Sequence, residues 1–252
     1  MGVLKRCQAD VGVTDTMTRR SPLSLVGILP GALLGAAAAV AGLVRRDKPL
    51  HPVGHRGTGE LRITDPVPAL GIDVIARAGT RACRLRWSRS MGLPEGWPDV
   101  EGLALRLSSA GPGGGDADLL FASTGERAWS RYLMTLRGPG RFGTLTTLLP
   151  ARAGGRAVTF RLSPESEPRD GLPPTTYALA LALGTGAWRP VGKIDVAWVQ
   201  SDTADRFDPI TRSLAGLEQY ALIEALREPA YVAARAVTRA RPATATGGRH
   251  HA

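Results

Sequence analysis

Short runs of alternating apolar and polar residues recur along the chain from position 60 onward. Each run is bounded by Gly, Pro or Asp, which is typical of strands joined by tight turns. The runs that predict strands are 60–65, 71–77, 81–88, 101–108, 118–123, 143–149, 157–162, 175–183 and 191–200. About nine short strands at hairpin-like spacing predict an antiparallel sheet that is closed, or nearly closed, into a barrel.

Two segments show the periodicity of helices instead. The pattern predicts an amphipathic helix over 126–137 and a second helix over 214–235. In the second, apolar residues recur three and four positions apart, as at Leu217, Ala221 and Leu222. The predicted fold class is therefore α+β, an antiparallel β-barrel with added helices.

A long uncharged segment precedes the predicted barrel. Residues 21–44 run for 24 positions without a charged residue and lie between two arginine pairs, which is long enough to span a bilayer. The segment also contains Pro22, Pro30 and four glycines, and much of its apolar content is alanine. Three interpretations stay open: a helical arm docked on the barrel, a membrane segment, and a secretory signal.

The net charge of +10 lies mainly at the two ends of the chain. Residues 1–46 carry +4 and residues 235–252 another +4, which leaves +2 for everything between them. A nucleic-acid-binding domain is expected to have a basic folded face, with aromatic side chains where it stacks bases. The body is nearly neutral and aromatic residues make up 5% of the chain, so we expect no nucleic-acid partner.

These features divide the chain into four predicted parts. A disordered basic leader (1–20) is followed by the apolar helix (21–46), one barrel domain (47–238) and a disordered tail (239–252). The only cysteines are Cys7 and Cys83, so no disulfide framework is available and a reducing compartment fits. We expect a cytoplasmic protein, or one associated with the cytoplasmic side of a membrane through residues 21–46.

Histidine is scarce, which limits metal chemistry. The four histidines are His51, His55, His250 and His251, and the last two end a polar tail. A site built from several histidines is therefore not expected. His55 is expected to be exposed.

Four short motifs occur in the order and spacing of the haem catalase barrel, which this part of the chain resembles. They are the segment from His51 to Thr64, Arg86-Trp87-Ser88, the run Asp99-Val100-Glu101-Gly102-Leu103-Ala104-Leu105, and Asp118-Leu119-Leu120. The later part of the chain is similar to the small catalase-related peroxidases. The motifs there are Trp188 to Gly192, Phe207-Asp208-Pro209, Leu214-Ala215-Gly216, and Arg227 followed by Tyr231 and Arg235.

The resemblance implies a haem b cofactor whose iron is bound by Tyr231. Arg227 would support the phenolate by charge and hydrogen bonding. The two residues are four apart and share one face of a regular helix, but Pro229 lies between them and predicts a kink. Taken without the resemblance, Tyr231 reads as an amphipathic core tyrosine and Arg227 as a solvated helix charge.

The same resemblance places the other haem contacts. His51 stands at the position of the distal acid/base, a role that suits a side chain titrating near neutrality. Ser88 stands at the position of the serine that holds this imidazole, and Arg86 and Lys48 at positions that neutralise the haem propionates. Lys48 supplies a point charge but not the two-pronged donor of an arginine.

One departure from the catalase pattern bears on the reaction. Where catalases continue with Gly-Asn-Asn, this chain has Phe121-Ala122-Ser123 and so lacks the distal amide. We therefore expect peroxidase-type oxidation, or conversion of an organic hydroperoxide, rather than efficient dismutation of hydrogen peroxide. The alternatives are a haem-free barrel that binds an apolar ligand, and a membrane-anchored structural or interaction protein.

Overall fold

The computed structural model describes residues 54–199, apart from 92, 95 and 148–149, together with 207–209 and 211–218. Ten antiparallel strands account for most of this part. They are β1 (Gly54–Ile63), β2 (Gly79–Arg89), β3 (Asp99–Leu107), β4 (Ala117–Ser123), β5 (Leu136–Arg137), β6 (Leu145–Thr146), β7 (Ala151–Ala153), β8 (Arg156–Pro164), β9 (Thr176–Leu183) and β10 (Arg189–Val199).

Eight of these strands form a closed ring in the order β2-β1-β10-β9-β8-β6-β4-β3, and β3 pairs with β2 to close it. Strands β5 and β7 lie outside the ring, paired with β3 and β8. The prediction of a closed antiparallel barrel is thus confirmed. The helical elements among the described residues are short: one α-helix, α1 (Asp73–Ala76), and three 3₁₀ turns at Pro68–Leu70, Pro112–Gly114 and Ser130–Tyr132.

The core fills the interior of the barrel. Successive side chains of a strand point to opposite faces, so one alternate set on each strand enters the interior. Leucines from neighbouring strands meet there with almost no exposed surface, among them Leu61, Leu85, Leu103 and Leu105. The other alternate set of side chains lies on the outer face of the barrel.

Three predicted elements differ from the structure. The strand predicted over 71–77 is replaced by a left-handed Gly71 (φ 68°) and by α1, where Val74 and Ile75 are buried through one helical turn. The helix predicted over 126–137 is replaced by the 3₁₀ turn Ser130–Tyr132 and by β5. Its apolar stripe has nothing to pack against, since Trp129 is 67% and Leu136 60% exposed.

The helix predicted over 214–235 does not begin at Leu214. Gly216 has a φ of 80°, which is incompatible with a regular helix, and Glu218 exchanges two backbone hydrogen bonds with Arg152 of β7. The remainder of that predicted helix lies outside the described residues, as do the leader, the apolar segment 21–46 and the tail. In the part of the chain that is described, no helix combines the length and the apolar character that crossing a bilayer requires.

Candidate functional site

Arg86 and Ser88 lie on the outer face of the barrel, on strand β2. Their neighbours Cys83 and Leu85 belong to the interior core, and the alternation along the strand places Arg86 and Ser88 on the opposite side. Ser88 is nevertheless buried, with 5% of its surface exposed, and Arg86 is half-buried. The candidate site therefore sits on the outer face, and the packed interior is separate from it.

Four small residues form a row across this face. Ser88 pairs with Gly54 of β1 on one side and with Gly102 of β3 on the other, and Gly102 pairs in turn with Ala122 of β4. Paired residues on adjacent antiparallel strands lie about 5 Å apart, so the row is about 15 Å wide. We call Gly54, Ser88, Gly102 and Ala122 the small-residue row. It presents a flat strip that carries the Ser88 hydroxyl, and the Ser90 hydroxyl lies over Gly102, where an added methyl group would come within 2.5 Å of its oxygen.

A second row, one step along the strands, begins with two arginines. Arg56 of β1 pairs with Arg86 of β2, and the row continues through Ala104 and Leu120. Arg86 folds toward the small-residue row, since a methyl group added at Gly54 would lie 3.2 Å from its guanidinium carbon. One edge of the flat strip is thus positively charged.

A buried ion pair occupies the third row. Nε and Nη2 of Arg106 donate to the two carboxylate oxygens of Asp118, each at 2.7 Å, and both side chains are almost fully buried. Asp118 Oδ2 also accepts a hydrogen bond from the backbone N–H of Asp208 at 2.7 Å. The guanidinium carbon of Arg106 lies 4.7 Å from the centre of the Phe207 ring. The Phe207-Asp208-Pro209 motif is therefore fixed to the outer face beside the two other rows.

The segment 207–218 is fastened to the barrel at further points. The Asp118 N–H donates to the carbonyl of Arg212, and the Ala215 N–H donates to the carbonyl of Ala110. Gly216 passes so close to Gly71 that a side chain at position 216 would collide with the Gly71 carbonyl. The chain that continues toward position 231 is thus fixed in place up to residue 218.

A polar cluster lies inside the same end of the barrel. Glu101 accepts hydrogen bonds from Trp87 Nε1 at 2.8 Å and from Arg137 Nη1 at 2.7 Å. Burial raises the pKa of the Glu101 carboxyl, while these two donors act in the opposite direction. Burial, and then the charge of Glu101, also raises the pKa of Tyr177, whose hydroxyl has no partner among the described residues. His55, expected to be exposed, is half-buried with its ring 5.6 Å from that of Trp87.

Sequence reasoning missed this interior cluster. Glu101, Leu103 and Leu105 are alternate residues of β3, so their side chains face the same side of the sheet. The sequence of β3 therefore already places the Glu101 side chain in the interior of the barrel. The residues of these strands that the resemblance singles out, Arg86 and Ser88, face outward instead. The sequence feature that could have revealed the cluster is a charged residue, Glu101, at a position where the alternation of the strand predicts an apolar one.

Only two of the six predicted site residues fall in the described part of the chain. Arg86 and Ser88 lie two positions apart on the same outer face. His51, Lys48, Arg227 and Tyr231 lie outside the described residues. The described residues contain no group of three or more His, Cys, Asp or Glu side chains that could hold a metal ion.

The outer face combines a strip of small residues with two arginines, Arg86 and Arg56, in the neighbouring row. A planar anionic cofactor on the strip would contact these cations, and it would displace the Arg86 guanidinium group from Gly54 and the Ser90 hydroxyl from Gly102. Ser88 is the hydroxyl group in the row. Cations beside a strip of small residues are chemistry that a flat anionic group can use.

No protein-family model matches the chain, and no curated protein matches it either. Its fold is similar to solved catalase structures. A bacterial catalase aligns over 97% of this chain and 70% of its own, with a TM-score of 0.50 and 14% identity. Catalase A from Saccharomyces cerevisiae aligns over 79% of this chain and 63% of its own, with a TM-score of 0.50 and 12% identity.

A fungal catalase aligns over 73% of this chain, with a TM-score of 0.48 and 13% identity. This chain spans 58% of the length of that catalase. At such identities a structural likeness shows the fold alone. The chain accordingly has a catalase-like fold, a closed antiparallel barrel with few helices.

Proposed function

We propose that this chain binds haem b and uses a peroxide or an organic hydroperoxide for peroxidase-type oxidation or hydroperoxide conversion. Three observations support the proposal: the catalase-like fold, the flat small-residue row, and the placement of Arg86 and Ser88 on the outer face that carries this row. The proposal assigns the haem to the outer face, because the interior of the barrel is filled by the core.

A bound haem would supply the redox chemistry of a ferric iron toward a peroxide. Tyr231 would hold the iron through its phenolate, and Arg227 would stabilise that anion by its charge. Arg86 and Lys48 neutralise the two carboxylates of the cofactor. Arg86 does so as a two-pronged donor and Lys48 as a point charge.

On the distal side, His51 moves the proton. Its imidazole takes a proton from the peroxide and returns it to the departing oxygen, which requires a group that titrates near neutral pH. Ser88 acts as a positioning residue that holds this imidazole. Burial of Ser88 in the small-residue row gives its hydroxyl a fixed place from which to do so.

The observation that carries the choice of reaction is the position of Ala122. Its register with Gly102 and Ser88 puts it in the small-residue row, where catalases have the second residue of Gly-Asn-Asn. A methyl group cannot donate a hydrogen bond to hydrogen peroxide. Efficient dismutation needs that donor, whereas peroxidase-type oxidation and hydroperoxide conversion depend on it less, so we propose the latter reactions.

The test is the absorption spectrum of the full chain purified with haem supplied. We expect a Soret band that shifts or disappears in Tyr231→Phe. Tyr132→Phe is the matched control, because the Tyr132 hydroxyl only donates to the Gly184 carbonyl on another part of the barrel. Absence of a Soret band in a folded protein, or the same spectrum in Tyr231→Phe and wild type, would overturn the proposal.

Ser88→Ala tests the distal assignment separately. We expect the Soret band to remain, while the rate of reaction with peroxide falls about tenfold and its pH profile shifts, because the imidazole loses its partner. Ser88→Thr keeps a hydroxyl and is expected to recover part of the rate. An unchanged pH profile in Ser88→Ala would contradict the positioning role.

The membrane assignment stays a prediction and has its own test. If residues 21–46 attach the protein to a membrane, lipid hydroperoxides become its nearest substrates. Fractionation of cells that express the full chain should then place it with membranes, and deletion of residues 21–44 should release it. Wholly soluble protein with the segment intact would contradict membrane association.

The second candidate function is a haem-free module that binds an apolar ligand. The packed interior favours a place for such a ligand on the outer face, at the small-residue row. An intact barrel that takes up no haem but binds a fluorescent apolar probe, with lower affinity after Gly102→Leu, would support it. A haem spectrum that depends on Tyr231 would exclude it.

A further inference from the structure

Two arginines converge on one tryptophan on the part of the outer face that adjoins the β4 end of the small-residue row. Arg161 lies on β8, where it pairs with Thr146 of β6 and Ala180 of β9, and Arg131 lies in the 3₁₀ turn Ser130–Tyr132. Their guanidinium carbons are 4.8 Å and 4.3 Å from the ring centre of Trp188. Both cations therefore share one indole, which holds them in defined positions.

Arg131 uses only part of its hydrogen-bonding capacity. Its Nη1 donates to the Gly184 carbonyl at 3.3 Å and its Nη2 to the Gly186 carbonyl at 3.0 Å. The side chain is 2% exposed, and its buried Nε has no hydrogen-bond partner among the described residues. A buried donor without a partner is costly, so this arrangement is incomplete as it stands.

Arg161 is still less satisfied. Its buried Nε has no partner, and we find no hydrogen bond or ion pair from its guanidinium group to any described residue. Stacking on Trp188 is the contact that holds it. A guanidinium group has five N–H donors in a fixed fork, and most of those on Arg161 are not used by the protein.

The positive charges of Arg131 and Arg161 are also only partly balanced by nearby carboxylates. Glu126 is the carboxylate that acts on Arg161, but its Oε1 accepts a hydrogen bond from Thr144 at 2.6 Å, and its backbone carbonyl accepts one from Trp188 Nε1 at 3.1 Å. Burial lowers the pKa of both arginines, and Arg131 lowers that of Arg161 further. The carboxylate that acts on Arg161 thus already has another partner.

We propose that Arg131 and Arg161, held by Trp188, form a binding site for a small oxyanion, either a phosphate or a carboxylate. Two oxygen atoms of such an anion match the fork of a guanidinium group. Binding would satisfy the free donors and balance the second positive charge. Thr146 of β6 lies between Arg161 and Ala122 in the strand register, so this site adjoins the β4 end of the small-residue row. It is argued from the contacts of Arg131, Arg161 and Trp188 alone and does not require that haem is bound.

The test is calorimetric titration of the full chain with inorganic phosphate and, separately, with acetate, each at constant ionic strength. We expect saturable binding of at least one of them, and a midpoint of thermal unfolding that rises with its concentration. Binding of both ions indicates a general oxyanion site. Binding of phosphate alone, or of acetate alone, identifies which chemistry the site prefers.

Arg161→Gln should weaken this binding about tenfold or more. Arg156→Gln is the matched control: it removes the same charge from an exposed position of the same strand and should leave affinity unchanged. Arg161→Lys keeps the positive charge but lacks the two-pronged guanidinium donor, so this variant should also bind the anion more weakly. It supplies the test if Arg161→Gln fails to fold. No saturable binding of either ion, or equal losses in Arg156→Gln and Arg161→Gln, would overturn the proposal.

Discussion

Arg106 and Asp118 form a two-pronged ion pair across β3 and β4, with both N–O distances at 2.7 Å and almost no exposure to solvent. The same carboxylate accepts the backbone N–H of Asp208, and the same guanidinium group lies against Phe207. One buried pair thus connects the barrel to the segment that leads toward Arg227 and Tyr231.

Arg106→Gln should therefore be strongly destabilising. It leaves the Asp118 carboxylate buried with only part of its hydrogen bonds, which typically costs about 3–5 kcal/mol of unfolding free energy. Denaturant unfolding measures this loss. Hydrogen exchange should also show that the Asp208 amide loses protection, because its acceptor is no longer held in place.

Lys193→Gln is the control for this experiment. Lys193 pairs with Asp195 at 3.7 Å, but their side chains are 41% and 47% exposed, so the change should cost less than about 1 kcal/mol. A loss in Arg106→Gln as small as that of the control would show that the buried pair does not anchor the segment.

Strand positions were the part of this structure that the sequence predicted best. The pattern over 81–88 and 101–108 matches β2 and β3 to within two residues, because large apolar residues alternate with small or polar ones in these sequences, although β3 is buried on both faces. The same alternation puts Arg86 and Ser88 on one face. Their alignment with Gly102 and Ala122 depends on the register between strands, which no single strand encodes.

Helix predictions failed for a related reason. The apolar spacing over 126–137 suits a helix, yet the Thr135 N–H donates to the Ser123 carbonyl and the Gly125 N–H to the Ser130 carbonyl. Backbone N–H groups of this segment thus donate to the end of β4 and within a local turn, and these hydrogen bonds replace those of a helix. Tertiary contacts overrode the local pattern, and they also created the Arg131, Arg161 and Trp188 cluster, whose members are 57 positions apart at most.

Ala122→Asn should shift the haem-loaded protein toward dismutation. An amide at this position of the small-residue row can donate to a bound peroxide, and a well-placed donor accelerates such steps by tenfold or more, about 10²–10³-fold in favourable cases. Oxygen release from hydrogen peroxide measures the effect. Ala197→Asn makes the same change at an exposed position opposite Thr58 and should have no effect.

An unchanged rate in Ala122→Asn, with haem still bound, would show that position 122 does not face the peroxide. It would leave the haem assignment itself untouched, because that rests on the spectrum of the Tyr231→Phe variant.

Glu101 should make stability depend on pH. Burial raises its pKa in the folded protein, so the folded state holds the proton at pH values where the unfolded chain, with a pKa of about 4.3, has released it. The contribution of Glu101 to the unfolding free energy is thus fully present at low pH, and it falls as the pH rises through the pKa that this carboxyl has in the folded protein. In Glu101→Gln this fall should be absent, since the amide cannot ionise.

The measurement is unfolding free energy against pH from acid to neutral conditions, compared between wild type and variant. Glu60→Gln removes a carboxylate from an exposed position of β1 and controls for the change in net charge. A pH dependence in Glu101→Gln that parallels wild type would contradict the role assigned to burial.

Cys83 should report on opening of the barrel. Burial raises the pKa of its thiol to about 12, with a smaller contribution from the charge of Glu60, so almost no thiolate exists at neutral pH. Since the thiolate is the reactive form, labelling by a maleimide requires the barrel to open. In a Cys7→Ser background, native protein at pH 8 should react far more slowly than protein in denaturant.

The same reaction links this residue to the Arg106–Asp118 pair. If labelling passes through global unfolding, a loss of about 3 kcal/mol in Arg106→Gln raises the open population, and with it the labelling rate, by about a hundredfold. Lys193→Gln should leave the rate within a few-fold of wild type. Equally fast labelling of native and denatured protein would show that the thiol is accessible without opening, contrary to its place in the interior core.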